Sequence, residues 1–218
     1  MNIIYEDKYL IAVVKPVGIV SEGADGIEGK VKEYLEAKGE TLTGLVNRLD
    51  YGVSGLILLA KTKESAKRLN KLVAQNQIKK EYLAVVHSAP KENEGTFKDI
   101  LFKDSKSNKS YVVKTLRKGA KEAELDYVLL ETIDAQKGKI SLVKVQLKTG
   151  RTHQIRVQFS SRKMPLVGDG KYGGRDNCDI ALYSYRMTFN HPFTNKTISI
   201  ESMPYKDKYP WNEFLNIT

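Results

Sequence analysis

The chain has 218 residues, 41% hydrophobic and 28% charged, which is room for one sizeable core or two small ones. No run of roughly 18 apolar residues occurs, and the start MNIIYEDKYLIAVV has no basic stretch ahead of a long apolar one, so neither a membrane-spanning helix nor a secretory leader is expected. Basic residues exceed acidic ones by 36 to 26, giving +10 and a pI near 9.4. Such an excess attracts polyanions, although a solvated basic surface accounts for it equally well. The lone Cys178 excludes an internal disulfide and suits a reducing cytoplasm. His87, His153 and His191 are scattered, so no metal site is expected.

Tyr9 to Lys15 (YLIAVVK) is β-rich and stops at the turn Pro16-Val17-Gly18. Glu28 to Lys38 reads as a helix with Val31, Tyr34 and Leu35 on one face and Gly39 closing it. Gly55 to Ala60 (GLILLA) fits a buried strand. Thr62 is placed to cap a helix over Lys63 to Asn76, with Ala66, Leu69 and Val73 facing inward.

From Ile78 the period changes to two. Strands are expected at Lys80 to Val86, Tyr111 to Thr115, Ala123 to Glu131 and Ile140 to Lys148. A helix is expected from about Arg151 to Arg162, ending before Met164-Pro165. Asp179 to Phe189 and Thr197 to Glu201 fit further strands, and Pro210 to Leu215 a short helical closure. The lysine-rich stretch Lys98 to Lys121 reads as loop: either a hairpin that embraces a ligand or a plain solvated connection. The pattern predicts a mixed α+β fold dominated by antiparallel sheet, in a single domain over 1–218.

Three segments carry candidate chemistry. In Asn47 to Gly55 (NRLDYGVSG), Arg48 and Asp50 stand at the mouth of a strand, where an ordinary turn also favours aspartate and glycine. Tyr82 shares a strand face with Ala84 and Val86, which suits core packing or a cleft wall. In Thr149 to Phe159 (TGRTHQIRVQF), helical spacing puts Thr152, Ile155, Arg156 and Phe159 on one face. An arginine there needs a carboxylate, and Asp50 is a candidate; a rotated helix would instead leave Arg156 at the surface.

These segments resemble the RluA-type pseudouridine synthases. NRLDYGVSGLILLAK is similar to that family's catalytic motif, H-R-L-D followed by T-S-G and an apolar strand, and TGRTHQIRV to its later motif. Ile4 to Val20 resembles the family's opening strand and lysine-proline-glycine turn, and Lys80 to Val86 its tyrosine motif. PLVGDGKYG and ALYSYRMTFNHP resemble its closing segments. The matches run through nearly the whole chain in the family's order.

The resemblance implies the pseudouridine synthase catalytic fold: a curved, mixed, mainly antiparallel sheet with flanking helices and a central cleft. It implies Asp50 as the catalytic carboxylate, with Tyr82, Arg156 and Ile155 supporting the site. Arg48, Arg151 and His153 are then expected to contact RNA. The implied reaction isomerises chosen uridines of structured ribosomal or transfer RNA, without cofactor or metal. The single cysteine suits the cytoplasm, and the lack of an obvious apolar interface stripe makes a monomer the expectation. No S4-type RNA-binding domain is expected ahead of it. Asn47 and Gln158 stand where the family often carries histidine, which puts fine RNA recognition in question. The rival readings are a non-catalytic RNA-binding module and a base-releasing glycosylase.

Overall fold

A strand that is apolar at every position is stable only where both of its faces are covered. LIAVVK and SGLILLA are such strands. Each is buried along its whole length in the structure, a computed structural model that describes residues 1–136 and 138–214. The chain forms two compact units, Met1–Lys80 with Tyr183–Pro204, and Glu81–Leu182 with the segment from Tyr205 onward.

The first unit begins with β1 (Asn2–Glu6), β2 (Leu10–Lys15), α1 (Ile27–Glu36), β3 (Gly44–Leu45), β4 (Ser54–Ala60) and α2 (Lys63–Ala74). The second contains nearly all of β5 (Lys79–His87), then β6 (Glu94–Asp104), β7 (Lys109–Val113), β8 (Ala120–Ala135), β9 (Gly138–Leu147) and α3 (Gln154–Ser160). The chain then returns to the first unit for β10 (Leu182–Asn190) and β11 (Thr197–Glu201).

In the first unit β2 pairs antiparallel with β1 and β4, and β4 pairs parallel with the start of β10. The period of two then sorts the core. Leu10, Ala12, Leu56, Leu58 and Ala60 pack with Leu69 of α2. Ile11, Val13, Ile57 and Leu59 pack with Ile27, Val31 and Leu35 of α1. Each fully buried leucine or isoleucine contributes about 1.5–3 kcal/mol. α2 starts where expected, with a capping box in which Thr62 accepts from the Ser65 amide and Ser65 accepts from the Thr62 amide. It ends at Ala74, two residues early, because Asn76 takes a left-handed conformation at φ 53°. α1 likewise stops at Glu36, ahead of Gly39 at φ 72°.

The second unit is antiparallel along β9-β8-β6-β7, and β8 carries a bulge between Leu129 and Glu131 that bends it. α3 lies on this sheet, where Leu101 and Ala123 pack with Val157 and Tyr172. The fold is thus α+β and mainly antiparallel, as expected. One expectation is refined and another corrected. Lys98 to Lys121 is mostly strand, and of its two readings the hairpin is the one found: β6 and β7 turn at 104–109, and β8 begins at Ala120. The helix expected over Arg151 to Arg162 covers only Gln154–Ser160, because His153 adopts φ 54° and cannot be its first turn. The closing turn forms a 3-10 helix at Trp211–Glu213, while Leu215 lies outside the described residues.

Gly55 shows how tightly β4 is built. Its φ is 116°, and a Cβ there would meet the Ser184 carbonyl oxygen at 2.4 Å and its amide nitrogen at 2.5 Å. Only glycine lets β4 approach β10 this closely. Gly55→Ala should therefore lower stability by more than about 2 kcal/mol, measured by urea denaturation, through positive-φ strain and the backbone clash together.

Candidate functional site

The Asn47–Val53 segment is held through its backbone. The Asn47 amide reaches β4 as a strand would, accepting from Leu58 N–H at 2.8 Å and donating to the Leu56 carbonyl at 3.4 Å. The buried Ser21 hydroxyl donates to the Leu49 carbonyl at 2.8 Å and accepts from the Leu49 amide at 3.0 Å. Val53 N–H donates to the Asp50 carbonyl at 3.0 Å and closes a turn. Asp50 sits half-buried at the head of that turn.

Lys15 anchors the same loop from below. It is fully buried, and its Nζ donates to the carbonyls of Pro16 at 2.9 Å, Ile19 at 2.8 Å and Tyr51 at 3.4 Å. Burial pushes its ammonium down from 10.5 to about 8, and the negative charge of nearby Asp50 opposes that fall. Arg48 points to solvent and pairs with Glu22 at 3.0 Å. With side chains 67% and 60% exposed, that pair orients Arg48 more than it stabilises the fold.

In the second unit Arg156 is buried, which dismisses the surface reading, since α3 is covered on every side from Gln154 to Phe159. Asp169, fully buried, receives its guanidinium in two bonds, Nε to Oδ2 at 2.7 Å and Nη2 to Oδ1 at 2.8 Å. Asp169 is thus a carboxylate partner of this arginine within its own unit. The guanidinium also lies 5.1 Å from the Tyr172 ring centre. The Tyr172 hydroxyl accepts from Ser110 N–H at 2.8 Å and lies 2.9 Å from His153 Nδ1. Burial pushes the Tyr172 phenol up. Tyr172 therefore links His153 to Arg156, two residues the sequence singled out separately.

Ile155 is buried beside them in the chain, and Tyr82 is buried on β5. Arg151 is exposed, with Nε on the Glu122 carbonyl at 2.8 Å. Gln154 ties this corner together, accepting from the Arg151 amide and the Thr149 hydroxyl while donating to the Glu124 carbonyl. Gln158 is fully buried and donates to Asp99 at 2.7 Å and to the Phe97 carbonyl. Through these bonds it holds β6.

Sequence reasoning passed over Lys15, Ser21, Asp169 and Tyr172 as site residues. Asp169 and Tyr172 lie in VGDGKYGG, where the glycines read as a turn and hide a buried charge. Among the described residues, no group of three or more His, Cys, Asp or Glu is placed to hold a metal ion.

Comparison with known proteins defines the family of the chain. The family profile described as RNA pseudouridylate synthase matches residues 9–161. A ribosomal large subunit pseudouridine synthase C of Buchnera aphidicola subsp. Schizaphis graminum is 34% identical over 211 residues, which is 91% of this chain and 66% of the relative. The uncharacterized RNA pseudouridine synthase YlyB of Bacillus subtilis is 32% identical over 214 residues, 93% of this chain and 68% of the relative. Among solved structures, the human RNA Pseudouridylate Synthase Domain Containing 4 is similar with a TM-score of 0.79 at 21% identity, over 94% of this chain and 89% of that one. This last likeness concerns fold alone. The chain belongs to the RNA pseudouridylate synthase family, and the RluA-type resemblance is borne out. It spans about two-thirds of the length of the curated relatives it matches.

The buried ammonium of Lys15 makes a testable statement about pH. Below about 8 it is charged in the folded and unfolded chain alike, and the full cost of burying that charge is present. Between about 8 and 10.5 the unfolded chain binds the extra proton, so stability due to this group rises with pH. In urea titrations, the stability of the wild type relative to Lys15→Met should increase across that window. A difference that stays level or falls contradicts a depressed Lys15.

Proposed function

We propose that the protein is an RNA pseudouridine synthase that isomerises chosen uridines of structured RNA, with Asp50 as the catalytic carboxylate. The observation that carries this reading is the Arg48-Leu49-Asp50 loop. Its backbone is fixed by Lys15, Ser21 and Asn47, so the main chain that carries Asp50 has a set position. A pure binding surface has no need of a carboxylate held toward a polyanion.

A uridine stacked in folded RNA is out of reach, so the base must first swing out, at a cost of a few kcal/mol that is smallest in a loop. Asp50, as a carboxylate, then acts at the ribose. The C1′–N1 bond breaks with its electron pair going to N1, the uracil turns without leaving, and C5 bonds to C1′; C5 then gives up its proton and N1 takes one up. One carboxylate suffices for this, whether it attacks the sugar or removes a proton from it. Tyr82 is proposed to lie against the base. Arg156, kept in place by Asp169, and Ile155 support the site. Arg48, Arg151 and His153 contact RNA. The neighbour on the loop favours this for Arg48, whose exposed pair with Glu22 gives way readily to a phosphate.

The substrate is ribosomal or transfer RNA; the name of the Buchnera relative favours ribosomal RNA. The chain acts as one catalytic domain, a monomer working where that RNA lies in the cytoplasm. No helix of the described residues is long and apolar enough to cross a membrane.

The test uses RNA tritiated at uridine C5, taken from cells lacking this gene. Isomerisation releases that tritium to water. The wild type should release it and yield no free uracil, and Asp50→Asn should release none. Free uracil would identify a glycosylase. No release from either RNA would favour a binding module.

A further inference from the structure

The β6–β7 hairpin and the connection to β8 carry a charge concentration that the catalytic reading leaves unused. Residues 103–121 hold seven lysines and arginines against one acid, Asp104, so this stretch supplies six of the chain's ten net positive charges. Asp104 is turned inward on its own hairpin, accepting from the Lys106 amide and the Ser107 hydroxyl. Further along β8, Glu124 is paired with Lys98 at 3.4 Å.

The same stretch exposes apolar surface. Of the nine large hydrophobic side chains exposed among the described residues, Tyr111, Val112 and Leu116 fall here. Register explains the geometry. Phe102 pairs directly with Tyr111, so their rings share one face of the sheet. Leu101 pairs with Val112 on the other face, where Leu101 packs toward α3. The Phe102–Tyr111 face is thus turned away from α3. Cations flank both rings: Arg117 lies 4.5 Å above Phe102, and Lys109 lies 5.7 Å from Tyr111. Lys109 also lies 5.1 Å from Tyr172, the ring beneath Arg156, so it stands at the edge strand between the two faces.

Lysines alone on an edge strand are a common guard against sheet-to-sheet pairing. That role does not call for an exposed tyrosine and leucine among them. Aromatic faces alternating with cations are what an unpaired nucleic acid strand requires, since bases stack on the rings and on guanidinium planes while phosphates meet the ammonium groups.

We propose that this outer face binds an unpaired segment of the RNA substrate, with bases stacked on Tyr111 and on the Arg117 guanidinium and phosphates held by Lys109 and Lys118. The inference rests on the reading of the chain as an RNA-modifying enzyme, and it makes this face a second contact that gives the enzyme grip on RNA beyond the uridine it modifies.

Fluorescence anisotropy with a labelled oligouridine and the full chain tests it, with a blunt RNA duplex as comparison. Tyr111→Ala/Arg117→Ala should weaken oligouridine binding at least about fivefold, the loss of one stacked base, and leave duplex binding unchanged. Tyr111→Phe should bind as the wild type does. Arg117→Gln, in an exposed turn, reads the same surface even if the double variant folds poorly, and it too should weaken oligouridine binding. Undiminished binding by these variants overturns the proposal, as does equal weakening toward the duplex, which would reduce the face to bulk charge. A wild type that binds no oligouridine also overturns it, and a protein partner for the face would then be sought. Binding needs no turnover, so Tyr111-dependent binding without tritium release would defeat the enzymatic reading and leave this one standing.

Discussion

An ammonium or a guanidinium removed from water must be met by oxygen, and each unit of this chain places such a group beside a candidate site residue. Lys15 gathers the carbonyls of Pro16, Ile19 and Tyr51, and so ties the end of β2 to the loop that bears Asp50. Arg156 is met by both oxygens of Asp169, and so ties α3 to the loop that follows Pro165. In both cases the buried cation fixes the backbone beside a candidate site residue. The arrangement adds little net stability, because burying the charge costs about as much as the pairing returns; what it supplies is position.

Position is also how the two departures from the family's usual residues are best understood. Asn47 does not face outward as a ligand group would. Its amide occupies the hydrogen-bonding edge of β4 at Leu56 and Leu58 and sets where the Asp50 loop begins. Gln158 is enclosed and bonds to β6. Both are polar side chains that stand in for backbone, a role that neither composition nor spacing reveals.

Much of the fold was legible because apolar runs and caps act locally. LIAVVK, GLILLA and KEYLAVV became strands, and Thr62 began a helix, for reasons contained within a few residues. The β6–β7 hairpin was legible only in part, as one of two readings with a strand near Tyr111. Its apolar residues, Phe97, Ile100, Leu101 and Phe102, serve both faces of the sheet, so no clean alternation survives, and the lysines at its turn dominate the composition. The length of α3 was misread because His153 leaves the helical region, a backbone choice that its side chain does not announce. Of the site, Asp50, Arg156 and His153 stood out by type and spacing. Asp169 did not, since an aspartate between glycines looks the same in sequence whether it closes a turn or holds a buried guanidinium.

The central claim is that the loop built around Asp50 makes pseudouridine in the cell's own RNA. The most direct measurement is a site-by-site map of pseudouridine in ribosomal and transfer RNA. The strains to compare lack the gene, or carry it restored as wild type or as Asp50→Asn. The account predicts that at least one site is lost on deletion, returns with the wild type, and stays absent with Asp50→Asn. A map that deletion leaves unchanged, or that Asp50→Asn restores, would contradict it.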